Sequence, residues 1–125
     1  MRTKQGVDLN GFDWEVMKEA IDYADIFNII HGFDHGCVIT SALDGDHMHG
    51  SLHYVGRAMD LRTRHLKPHQ RIAYSRFMSY MLRDDFDIVL ENSHMHVEYD
   101  PKEKPHGIPD FAQIGEEDGF PNISK

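Results

Sequence analysis

Two periods alternate along this chain, and their order predicts its elements. After Asp13, a residue type that caps helices, Trp14, Met17, Ile21 and Ala24 recur at helical spacing until Gly32 interrupts the run. That stripe predicts an amphipathic helix whose apolar side is core. Cys37 to Ser41 reads as a short buried strand, with Cys37 packed beside Val38 and Ile39. From Arg57 to Arg62 the period drops to two, so Arg57, Met59 and Leu61 share one face and Ala58, Asp60 and Arg62 the other. Gly56 suits a turn that folds the preceding segment back over this strand. Pro68 suits the first turn of a second helix, with Ala73, Phe77, Tyr80 and Met81 as its apolar face and Asp84-Asp85 at its end. Phe86, Ile88 and Leu90 then alternate with Asp87, Val89 and Glu91, and Asn92-Ser93 makes a tight break. His94 to Tyr99 alternates again, with His94, His96 and Glu98 on one face and Met95, Val97 and Tyr99 on the other. Helix, strand, helix and paired strands predict an α+β domain, with helices packed on a small, mainly antiparallel sheet.

A chain of 125 residues is one domain with room for a core. Its composition divides it near Asp100. Residues 1–100 carry the periodic elements, whereas 101–125 hold four of the five prolines and the acidic run Glu116-Glu117-Asp118. Ile108, Phe111, Ile114 and Phe120 give that tail enough apolar surface to dock irregularly on the same domain. A net charge of −8 lacks the basic footprint of nucleic-acid binding. The single cysteine excludes an internal disulfide and a cysteine-rich metal site. No apolar run is long enough for membrane insertion, and Met1 to Gln5 has no apolar signal region, so synthesis in a cytoplasm without a signal peptide is expected.

The chemistry concentrates in two segments. His53 and Asp60 lie in Ser51-Leu-His-Tyr-Val-Gly-Arg-Ala-Met-Asp60, and His94-Met-His96 follows on a later strand. Two imidazoles and a carboxylate form a set that binds Zn²⁺ with a position left open. Spacing alone does not decide the matter: ten histidines are present, and such short patterns also fit surface or hydrogen-bonded residues.

The first segment resembles the S-x-H-x-x-G-x-A-x-D motif of the zinc peptidases that comprise the D-alanyl-D-alanine carboxypeptidases and L-alanyl-D-glutamate endopeptidases. It is also similar to the S-L-H-Y-x-G-R-A-x-D stretch of Hedgehog signalling domains, which share that zinc fold. Ile88 to Pro101 resembles the H-x-H end of small phage and bacterial members, and the likeness runs from Val38 to about Pro101. The resemblance implies a Hedgehog-like fold, zinc on His53, Asp60 and His96, and His94 beside the metal as a non-ligand. His47 matches a histidine lining the site in the Hedgehog branch.

Two departures shape the expected activity. Many of these peptidases carry an acidic base three residues before the last ligand, where this chain has Ser93, a poor base near neutral pH. Glu91 is the expected substitute. Carboxypeptidase members often carry an S-G-Y-R arginine ahead of the metal segment, whereas this chain reads Thr40-Ser-Ala-Leu-Asp44, which favours an endopeptidase. The expectation is therefore metal-assisted hydrolysis of an amide in a peptidoglycan stem peptide. Glu91 would serve as base, His47 or His94 as oxyanion donor, and Arg62, on the face of Asp60, as a substrate contact. A small enzyme of this kind would act at the bacterial cell wall and suits a phage lysis or wall-remodelling role. The alternative is a catalytically silent zinc domain that binds a partner, as Hedgehog domains do.

Overall fold

The computed structural model describes residues 1–42 and 56–101. Helix α1 spans Trp14–Ile30, and helix α2 spans Pro68–Leu82, followed by a 3-10 turn at Arg83–Asp85. The strands are β1 (Arg2–Thr3), β2 (Val38–Ser41), β3 (Ala58–Arg62), β4 (Phe86–Leu90) and β5 (His94–Tyr99). They form one sheet in the order β1-β2-β3-β5-β4, in which only the β1–β2 pair is parallel. The expected α+β fold with a mainly antiparallel sheet is what the chain adopts. None of the described helices is long and apolar enough to cross a membrane.

Alternation divides the sheet into two unlike faces. Met59, Leu61, Met95 and Val97 are fully buried with Ile39, and they pack under Met17, Ala20, Ile21, Ala24 and Phe27 of α1 and Tyr74, Met78 and Leu82 of α2. Fully burying an apolar side chain of this size contributes about 1.5–3 kcal/mol. Asp60, Arg62, His94, His96 and Glu98 lie on the opposite face and are only partly covered. Cys37 is buried just ahead of β2, and burial pushes its thiol well above the ordinary range. It is a packing residue, as its apolar neighbours imply.

Both helices correct the expected stripes. In α1, Met17, Ile21 and Ala24 are core, but Trp14 in the first turn is 45% exposed and sets its ring edge-on to Phe12 at 4.9 Å. In α2 the buried face is Tyr74, Met78 and Leu82, not Ala73, Phe77, Tyr80 and Met81. Phe77 packs at the margin of the core, while Ala73 and Tyr80 are exposed. The rotation has a polar cause. Asn28, fully buried in α1, donates to the Tyr74 hydroxyl at 3.0 Å and to the Ala24 carbonyl at 2.8 Å, and Phe27 stacks on Tyr74 with centroids 4.6 Å apart. A buried amide left without these partners would be costly, so Tyr74 turns inward. The same amide accepts from Nε2 of His65 at 2.7 Å.

Asp13 fastens the start of α1 to the base of β3. Its Oδ1 accepts from the Val16 amide at 3.2 Å, its Oδ2 accepts from Nε of Arg57 at 2.9 Å, and its own amide donates to the Gly56 carbonyl at 3.0 Å. Gly56 holds φ at +74°, and a Cβ there would collide with the Gly11 carbonyl and the Phe12 backbone. Gly56 thus stands in a turn that requires glycine, and the segment expected to fold back ahead of it lies outside the described residues. Gly56→Ala is expected to destabilise the fold by about 1–2 kcal/mol for the left-handed backbone alone, and by more through the collision. Urea denaturation followed by circular dichroism would show the loss as a lower midpoint.

The Arg57 guanidinium and the Val16 amide hold the Asp13 carboxyl below the usual carboxylate range. A depressed folded-state pKa stabilises the fold above the unfolded value near 3.8, and that contribution is lost as pH falls through the lower folded value. Asp13→Asn is expected to flatten this part of the stability profile below pH 4. Parallel thermal melts across the acid range would reveal a parent-minus-variant difference that shrinks as pH falls.

Candidate functional site

The site is built on two strands in register. In the β3–β5 ladder Ala58 opposes Glu98, Asp60 opposes His96 and Arg62 opposes His94, so their side chains share the face turned away from the helices. Asp60 Oδ1 accepts from Nδ1 of His96 at 2.8 Å, and Oδ2 lies 3.7 Å from Nε2 of His94. Nε2 of His96 donates to Oε1 of Glu98 at 3.1 Å. The Asp60 hydrogen bond raises the His96 pKa above the ordinary value; partial burial opposes this, and Glu98 adds to it. An imidazole held between two carboxylates marks a patch where positive charge is stabilised.

A register shift in β2 places Ser41 beside Asp60, and the Thr40 hydroxyl donates to the Asp60 carbonyl at 3.3 Å. The shift falls between Ile39 and Ser41, next to the site, and such irregularities commonly re-aim side chains. On the other flank Val89 opposes His96 and is 47% exposed. The site is thus a shallow sheet surface with one apolar shoulder.

Asp60, His94, His96 and Arg62 are brought together as the alternation implied. Arg62 is partly buried, and its Nε has no hydrogen-bond partner among the described residues. Glu91 is exposed, one step beyond β4, and its amide donates to the His94 carbonyl at 2.8 Å, which continues the register so that Glu91 stands across from His94. Ser93 lies against His94, Oγ to Nδ1, at 3.3 Å. Glu98 touches His96 directly; its parity with His94 and His96 was the signal for it. His53 and His47 lie outside the described residues.

The donor chemistry fits a zinc ion in kind. A carboxylate and an imidazole stand side by side on a rigid ladder, with a second carboxylate adjoining. Among the described residues no group of three His, Cys, Asp or Glu side chains is arranged to hold a metal. The third ligand implied by the resemblance is His53. The chain matches no family model, no curated protein and no solved structure, so the family reading rests on the sequence motifs.

Proposed function

We propose that this chain is a zinc-dependent peptidase that cleaves an amide in a peptidoglycan stem peptide, as an endopeptidase. The cross-strand pairing of Asp60 with His96 on the open face supports this reading most, because it joins the two sequence motifs at one point. His53, Asp60 and His96 would hold the ion. When bound, zinc supplies Lewis acidity toward a peptide carbonyl and water. Glu91 takes the proton from the attacking water and passes it to the leaving amine. His94, steadied at Nδ1 by Ser93, donates from Nε2 to the developing oxyanion, with His47 as the second candidate for that role. Arg62 receives an acidic group of the substrate, and Val89 offers an apolar shoulder beside His96.

One observation favours the silent zinc module instead. The position where related peptidases place an acid is Ser93, engaged with His94. Both readings share the metal and differ in turnover.

Purified protein is expected to carry about one zinc per chain by elemental analysis, in keeping with a three-ligand site that keeps one position open. His53→Ala and Asp60→Ala should lose most of it. Equal metal in all three proteins would remove both readings. A chelator should also lower the melting temperature, with recovery on adding Zn²⁺, because metal binding stabilises the folded state through linkage.

Turnover is tested on isolated peptidoglycan, with mass spectrometry of the released fragments. Glu91→Gln should keep its zinc and lose roughly 10²–10⁴-fold in rate, the usual cost of removing a general base. If Glu91→Gln is fully active and Glu98→Gln is not, the base is Glu98. A zinc-loaded parent that releases no fragment supports the binding module.

A further inference from the structure

We propose that His65 is a pH-sensitive latch: neutral, it ties the connection between β3 and α2, residues 63–67, to the core of α1, and protonated, it lets that connection loosen. The tautomer follows from the hydrogen bonds. Nδ2 of Asn28 donates to the Ala24 carbonyl, a group that can only accept, so the oxygen of the same amide faces His65. Nε2 of His65 therefore carries the proton it shares with Asn28 Oδ1 at 2.7 Å, which leaves Nδ1 as a bare lone pair in the neutral ring. That Nδ1 is buried and has no hydrogen-bond partner among the described residues. The ring is also fixed edge-on to Phe33, with centroids 4.6 Å apart.

A second proton on this ring creates a buried N–H without an acceptor, and it sits on a cation. The surroundings raise the cost. Arg62 at the end of β3, Arg71 on α2 and, once protonated, His35 ahead of β2 bring positive charge toward the ring, whereas α1 offers it the neutral Asn28 amide, with the buried Tyr74 hydroxyl of α2 behind. Burial first and these charges second hold His65 below the ordinary imidazole value of 6.5. Three more buried side-chain atoms without a partner among the described residues, His35 Nδ1, Arg62 Nε and Thr63 Oγ1, belong to the same neighbourhood. Regions whose polar packing is incomplete open at low cost. Arg71 also grips the connection, donating to the Thr63 and Leu66 carbonyls, so release of His65 loosens it without unfolding α2. The effect reaches the candidate site, because the connection begins at Arg62 and the Thr63 amide donates to the carbonyl of Ser93, next to His94, at 3.4 Å.

A folded-state pKa below the unfolded one means that the latch is complete above 6.5 and is lost as pH falls from there toward the folded value. Nuclear magnetic resonance on the full chain between about pH 8 and about pH 5 tests it. The His65 ring is expected to titrate below 6.5. Across the same step the Leu66 amide, which donates to the Thr63 carbonyl, should lose about tenfold or more of its hydrogen-exchange protection, after correction for the intrinsic pH dependence. His65→Gln keeps a donor for Asn28 and does not ionise, so its Leu66 protection should stay within about twofold over that range. A His65 ring that titrates at or above 6.5 overturns the proposal, as does Leu66 protection that is unchanged through the His65 step. Both readings come from the parent and stand whatever the stability of the variant. A folded His65→Gln that loosens in acid as the parent does assigns the transition to another group and overturns the latch as well.

Discussion

The pairing of β3 with β5 is the constraint on which the rest of this structure depends. Because side chains alternate, one register decides both what is buried and what is presented. With Asp60 opposite His96, Met59, Leu61, Met95 and Val97 all point into the helices, and Asp60, Arg62, His94, His96 and Glu98 point out. A slip of one residue would bury Asp60 and His96 and expose the core. The hydrophobic effect therefore fixes the site geometry without touching the site itself. The apolar half of each strand holds the polar half in place.

The helices hold that ladder from one end as well as from behind. Asp13 joins α1 to Gly56 and Arg57, and the Arg57 carbonyl accepts from the Tyr99 amide at 2.8 Å while its guanidinium sits 5.6 Å from the Tyr99 ring centre. The start of α1, the entry to β3 and the end of β5 thus meet in one junction. The charged face need supply little stability of its own, and pairs such as His96 with Asp60 and Glu98 can be arranged for chemistry.

How legible each part was follows from whether its cause is local. The strands could be read because Met59, Leu61, Met95 and Val97 alternate with polar residues, a pattern that needs no knowledge of neighbours. That parity also puts Asp60 on the face opposite Met59 and Leu61, and His94, His96 and Glu98 on the face opposite Met95 and Val97. The phase of α2 could not be read, because two apolar stripes run along it and the choice is made by Asn28 and Phe27, more than forty positions earlier in the chain. Trp14 misled for a related reason: helical spacing continues through the first turn, where the indole sets edge-on to Phe12 and stays 45% exposed. The two-residue strand β1 has too little sequence to announce itself. The roles expected of His53 and His47 rest on motif resemblance alone, whereas the sheet brings Asp60, His94 and His96 together by register.

Trp14 carries one more consequence. It is the single tryptophan of the chain, and it sits half in solvent against Phe12, immediately after the Asp13 junction and beside the backbone that closes over Gly56. Indole emission responds to the polarity around the ring, so the molecule contains its own optical gauge of that junction. The gauge stands apart from the patch of Asp60 and His96, with Phe12 as its aromatic neighbour. Its light would register whether the entry to β3 is closed, with no label added and no residue of the patch disturbed.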